Sequence, residues 1–215
     1  RIQTPGLTRH VMSRGNGRMP IFLDDCDYRQ FTYLLGDTLS RWGIRCWNYC
    51  VMPNHYHATI EPALPNISQA IRQLNGAYGQ WWNRRHGRVG HVFQGRFKDQ
   101  VVDRDGYLLA LSRYVVMNPV RAGLAKRPED WPWSSYRATA GLAPPPSYLW
   151  LDWLDSAFPA RCRSESQSRF CAYVAAPTLA DAEKWLFEVA VGSRSFTAQI
   201  REHIGATLYQ ASLPR

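Results

Sequence analysis

Two apolar runs, Ile44 to Val51 and His55 to Ile60, are separated only by Met52-Pro53-Asn54. Three residues leave no room for a crossover, so the runs must fold back on each other as an antiparallel hairpin. In the second run His55, His57 and Thr59 alternate with Tyr56, Ala58 and Ile60. Alternate residues of a strand share a face, which predicts one polar and one apolar side and brings the two imidazoles together. Helical periodicity flanks the hairpin. Before it, Phe31, Leu34, Leu35, Leu39 and Trp42 follow the acids of Asp24-Asp25-Cys26-Asp27, and Gly43 closes the helix. After it, Asn66 and Gln69 have capping-box form ahead of Ile67, Ala70, Ile71, Leu74, Tyr78, Trp81 and Trp82.

A short strand around His10 to Ser13 precedes these elements. A longer one, Phe93 to Val102, follows them, with Arg96 and Lys98 on one face. Asp103 or Asp105 then caps a third helix to about Met117, limited by Asn118-Pro119. The resulting order predicts an α+β fold, an antiparallel sheet flanked by helices. The proline-rich segment 141–147 reads as a linker. It divides a body of residues 1–140 from a mostly helical C-terminal extension, 148–215, with helices at Leu179 to Val191 and Phe196 to Ile204.

Charge separates the two parts. Residues 1–137 carry 19 basic and 10 acidic side chains, whereas residues 138–215 carry 7 of each, so the whole net charge of +9 lies on the body. A basic body with a neutral tail points to a polyanion, nucleic acid ahead of a membrane surface. No apolar run reaches the length of a membrane span and no apolar leader opens the chain, so a cytoplasmic protein is expected. The five cysteines, an odd number in a chain of 215 residues, are expected as reduced thiols.

Two imidazoles on one strand face can share a divalent metal or simply lie on a sheet surface; a zinc site completed by Cys50 across the hairpin is the weaker alternative. Tyr114 and Asn118, four apart on the third helix, can meet one ligand, yet Tyr114 also borders the apolar stripe of Leu108, Leu111 and Val115. Arg14 and Arg18, in the turn Ser13 to Pro20, suit phosphate contact or plain solvation. Arg84, Arg85, Arg88, Arg96, Lys98 and Arg121 are further candidates for phosphate contacts, each with a surface-charge alternative. Trp81, Trp82, Trp131, Trp133 and Tyr136 are expected as packing residues. His10, His86 and His203 have no partner at ligand spacing.

Four runs together carry a family resemblance: Met-Pro-Asn-His-Tyr-His at 52–57, Gly-Arg-Val-Gly-His-Val-Phe-Gln-Gly-Arg-Phe-Lys at 87–98, the stretch 107–124 around Ser-Arg-Tyr-Val-Val-Met-Asn-Pro, and Pro-Glu-Asp-Trp-Pro-Trp-Ser-Ser-Tyr-Arg-Ala at 128–138. In this order they resemble the REP-associated tyrosine transposases, a domesticated branch of the single-tyrosine HUH transposases, over about residues 7–140. The resemblance implies a ferredoxin-like HUH endonuclease core. It implies a divalent metal, Mg2+ or Mn2+, on His55 and His57, with Asn118 as a third ligand and Tyr114 as the nucleophile. The implied partner is a single-stranded DNA hairpin of REP type, cut and rejoined through a 5′-phosphotyrosine with no nucleotide cofactor and no membrane. A monomer is expected, with a dimer as the alternative. The competing functions are a catalytically silent DNA- or RNA-hairpin binder and a hydrolytic nuclease.

Overall fold

The hairpin forms the centre of the fold in the computed structural model, which describes residues 4–176, 190–191, 193, 195–200 and 202. Strands β2 (Ile44–Met52) and β3 (His55–Pro62) pair antiparallel, and β1 (Arg9–Arg14) pairs with β3 on one side and β4 (Lys98–Val102) on the other. The spatial order β2-β3-β1-β4 is ferredoxin-like, with the first and third strands central. A two-residue strand, β5 (Ala190–Val191), extends the edge in parallel to β4. A helix was expected through Val191; its last two residues are this strand, and 179–189 lie outside the described residues. Of the helix expected at Phe196 to Ile204, residues 196–200 and 202 are helical, and 201, 203 and 204 lie outside the described residues.

Helices α1 (Asp25–Arg41) and α2 (Ile67–His86) cover one face of the sheet. Asp24 caps α1 by accepting from the amides of Cys26 and Asp27, and Phe31, Leu35 and Leu39 are buried on its inner stripe. Asn66 precedes α2 but makes no capping bond. Its Nδ2 donates instead to the Trp42 carbonyl, tying the start of α2 to the end of α1. Tyr56, Ala58 and Ile60 meet both helices in the main core. Beneath it Arg9, fully buried, is held 2.7 Å from Asp99 on β4.

Helix α3 (Arg104–Arg121) lies on the opposite face. Leu111 and Val115 pack there against Cys50, Met52 and Val102. It continues past the expected limit at Asn118-Pro119, with Pro119 inside its final turn. A proline that close to a helix end removes one hydrogen bond in a turn that frays in any case. Phe93 to Phe97, expected as strand, is irregular. Phe93 makes a single bridge to Gly15, and Gly90 (φ +96°) and Gly95 (φ +61°) turn the chain away from extended geometry. Arg96 therefore does not share a strand face with Lys98.

The outer edge of β2 is covered by chain rather than left open. The Val51 amide donates to Trp133 O, Ser135 N to Tyr49 O, and Trp150 N to Cys46 O. Trp133 stacks on Tyr28 at 4.8 Å and Trp131 Nε1 donates to Val51 O, so this tryptophan loop pins α1 and β2. A short helix, α4 (Tyr136–Thr139), ends this loop, and segment 141–147 after it is irregular. After it, α5 (Trp153–Ala157) and α6 (Arg163–Ala175) put Trp153, Leu154, Phe170 and Val174 into one apolar cluster with Trp47, Leu108, Val116 and Tyr136.

Candidate active site

Register places the site. Met12 pairs with His57, Arg14 with His55 and His10 with Thr59, and directly opposed residues of an antiparallel pair share a face. His10, Arg14, His55 and His57 therefore emerge together on the side covered by α3. A buried polar link sets the rotation of that helix: Asn48 Nδ2 donates to Ser112 Oγ at 2.8 Å, and Thr59 Oγ1 donates to Asn48 Oδ1 at 2.8 Å. Two residues beyond Ser112, Tyr114 stands edge-on to both imidazoles, with ring centroids 5.8 Å from His57 and 6.4 Å from His10. The Arg121 guanidinium lies 5.0 Å over the Tyr114 ring.

The imidazoles are oriented from behind. His57 Nδ1 is 2.8 Å from His10 Nε2, with the rings stacked at 11°. No ligand spacing in the sequence marks His10, because its partner is 47 residues away, on the next strand. His55 Nδ1 is 2.6 Å from Asn54 Oδ1. The orientation of that amide follows from its other end, where Nδ2 donates to the Arg18 carbonyl at 2.9 Å. His55 must then donate from Nδ1, which leaves Nε2 as a lone pair. If His57 likewise donates from Nδ1 to His10, both strand histidines present unprotonated Nε2 atoms.

Burial holds these rings neutral. It pulls His10 down to about 4, against a hydrogen bond with Gln100 that acts the other way, and His55 down to about 4 with help from the charge of Arg14. His57 lies well below the usual imidazole value, by burial first and then by His10, His55 and Arg14. Neutral imidazoles are what a metal binds. No group of three or more His, Cys, Asp or Glu side chains among the described residues is arranged to hold an ion. Two nitrogens plus amide, phosphate or water oxygens is thus the donor set on offer, and imidazole suits Mn2+ better than the oxygen-seeking Mg2+. Cys50, paired with His57 in register, joins no such group; its Sγ lies 3.8 Å from Met52 Sδ.

The remaining candidates divide. Arg14 and Arg121 border the histidines and Tyr114, and Lys98, opposite Met12, lies exposed on the same sheet face. Asn118 Nδ2 donates to Tyr114 O at 3.0 Å, which occupies the amide nitrogen within its own helix. Arg84 and Arg88 are exposed at the end of α2. Arg85 is engaged elsewhere, 2.7 Å from Asp24 and paired also with Asp27, which lowers Asp24 to about 2. Arg113 turns away from Tyr114 to lie over Tyr173. The Ser13 to Pro20 turn has a backbone role: Gly15 N donates to Asn54 O, and Ile21 N and Phe22 N to Pro53 O, so it clasps the hairpin turn that carries Asn54.

Residues 3–118 match the family model described as transposase, IS200-like. The chain belongs to the IS200-like transposase family. Its resemblance to the REP-associated branch is met again in one relative, and a solved structure from that branch shares its fold. A Haemophilus influenzae protein provisionally named a REP-associated tyrosine transposase is 26% identical over 134 residues, 54% of this chain and 76% of that protein. The structure of a REP-associated tyrosine transposase bound to a REP hairpin superposes with a TM-score of 0.55 over 67% of this chain and 86% of that one, at 20% identity. At that identity the superposition shows the shared fold. This IS200-like transposase has no helix, among its described residues, long and apolar enough to cross a membrane.

Proposed function

We propose that the protein cuts and rejoins single-stranded DNA beside a REP-like hairpin, with Tyr114 as the nucleophile. The observation that carries this reading is the seat of Tyr114, edge-on to His57 and His10 with Arg121 over its face. A phenol is a weak nucleophile at neutral pH, and a guanidinium beside it favours the phenolate. Arg14, which pairs with His55 in register, would meet the phosphate. A divalent cation on His55 and His57 would neutralise and orient the phosphate oxygens, Mn2+ suiting the donors best. Asn118 Oδ1 would be the further ligand.

Attack of Tyr114 Oη on phosphorus forms one phosphoester as the bond to the 3′ oxygen breaks, leaving a 5′-phosphotyrosine and a 3′-hydroxyl that takes up a proton. The number of phosphoesters is unchanged, so the reverse step rejoins strands without ATP. The basic body and the related fold seen with a REP hairpin bound support hairpin DNA as the substrate. The five cysteines, all free, suit a reducing cytoplasm.

The test is a denaturing gel of labelled hairpin DNA incubated with protein and Mn2+. A protein-linked band should form with the natural chain and vanish in Tyr114→Phe, whose circular dichroism should be unchanged. Cleavage that continues unaltered in that variant removes Tyr114 from the reaction.

A further inference from the structure

Helix α3 meets the sheet through an apolar interface, Leu111 and Val115 against Cys50, Met52 and Val102. Apolar contact has no direction, so such an interface alone lets a helix turn about its axis at little cost. A turn of about 20° moves the tip of a side chain, about 5–6 Å from the axis, by about 2 Å. A misplacement of about 1 Å in a reacting group can slow a reaction about 100-fold. Because α3 carries Tyr114, its rotation on the sheet governs whether the phenol is in reach of its target.

One buried side chain fixes that rotation. A bulge between Cys46 and Asn48 sets an extra residue of β2 against β3. Cys46 consequently joins the core under α1 and α2, whereas Asn48, two positions on, faces α3. There its amide is held from both sides. Thr59 Oγ1 donates to Oδ1 and Nδ2 donates to Ser112 Oγ, both at 2.8 Å, and all three residues are at most 1% exposed. Thr59 stands two residues after His57 on β3, and Ser112 two before Tyr114 on α3. The Asn48 amide thus spans from the strand of the histidines to the helix of the tyrosine. Any turn of α3 breaks the bond to Ser112 and leaves a buried donor unpaired among apolar neighbours that offer no replacement.

We propose that Asn48 is a positioning residue for strand transfer. It touches none of the reacting atoms; through Ser112 it holds α3 in the rotation that sets Tyr114 edge-on to His57 and His10. The proposal rests on the strand-transfer reading above and names the side chain that brings the nucleophile into register with the two imidazoles.

The experiment replaces the link by apolar groups of similar shape, Asn48→Leu with Thr59→Val and Ser112→Ala. Removing all the partners together leaves no buried polar atom of the link unpaired, so the exchange is close to neutral for stability. In single-turnover assays on labelled hairpin DNA with Mn2+, the triple variant should form the Tyr114 adduct about 10- to 100-fold more slowly at saturating DNA. Its half-saturating DNA concentration, and its Mn2+ affinity without DNA, should be unchanged. Ile71→Val, in the core with α1 and α2, should lower the urea midpoint and leave the adduct rate alone, which separates position from stability. Position is read directly from the fluorine resonance of Tyr114 in fluorotyrosine-labelled protein, assigned through Tyr114→Phe; it should move or broaden in the triple variant. An adduct formed at the natural rate by the folded triple variant overturns the proposal. So does a slowed rate with that resonance unmoved, or with DNA or Mn2+ affinity lost in step. Should the triple variant show no cooperative unfolding, Ser112→Ala alone is judged by the same readouts. If the natural chain gives no adduct while the resonance moves as stated, strand transfer falls and the hold of Asn48 on Tyr114 stands.

Discussion

At the scale of single residues, the site depends on side chains behind the motif as much as within it. Hydrogen bonding to the second ring nitrogen fixes a histidine's tautomer and aim, and such partners are worth about 10–100-fold in metal affinity. His10→Ala and Asn54→Ala should therefore each weaken Mn2+ binding by about that factor in titrations of the DNA-free protein. His10→Gln, which can still accept from His57, should retain part of it. Unchanged affinity in both alanine variants would show the relays to be incidental packing. The same burial gives a pH signature. An unfolded histidine protonates near 6.5, whereas His10 and His55 in the fold wait until about 4. Between those values the unfolded chain binds more protons, so stability falls as pH drops from 6.5 towards 4, by up to about 1.4 kcal/mol per pH unit for each ring. Urea midpoints at pH 7, 6 and 5 measure that slope, and His10→Gln should flatten it; an identical slope in the variant would exclude His10 as a source. The His-x-His pair was legible because its geometry is local to one strand. His10 was not, since its meeting with His57 depends on β1 lying beside β3.

At the scale of elements, periodicity sufficed for α1, α2 and the hairpin, where apolar spacing and turn chemistry agree. It failed where backbone chemistry decides: Phe93 to Phe97 reads as strand by composition, but Gly90 and Gly95 bend it away from extended geometry. The turn at Ser13 to Pro20 carries a similar lesson, since its arginines drew attention while its glycine does the positioning. A Cβ on Gly15 would sit 2.2 Å from Met19 O and 2.8 Å from Ile21 Cγ2, and backbone cannot yield as a flexible side chain can. Gly15→Ala must therefore shift the loop and draw the Arg18 carbonyl from Asn54 Nδ2, loosening the Asn54 contact that aims His55. The expected result is a fold lowered in stability by about 1–3 kcal/mol together with weakened Mn2+ binding. Calorimetry and metal titration on one preparation check it; full stability with full affinity would show that the loop accommodates the methyl group.

At the scale of the whole molecule, the sequence located the charge on the body but not which cations are engaged internally. Arg9 is sealed against Asp99 and Arg85 is paired with Asp24 and Asp27, while Arg14 and Arg121 border the candidate active site. The chain beyond the prolines is also more than a trailing extension. Leu149 bridges to Cys46, Trp150 N bonds Cys46 O, and Trp153, Leu154, Phe170 and Val174 cover Trp47, Leu108 and Val116, which are at most 6% exposed. Removing residues 148–215 would expose those three side chains at about 1.5–3 kcal/mol each, a large share of the 5–15 kcal/mol of a typical fold. The loss falls on α3, the helix that holds Tyr114, so the truncated protein should unfold at much lower urea and lose adduct formation together. Phe170→Ala in the 215-residue chain, a cavity worth about 3–5 kcal/mol, should move the single unfolding transition as a whole, because its cluster spans α6, α3 and β2. Two separated transitions, with only the weaker one moved by Phe170→Ala, would mean that the C-terminal helices fold independently and that Tyr114 is seated without them.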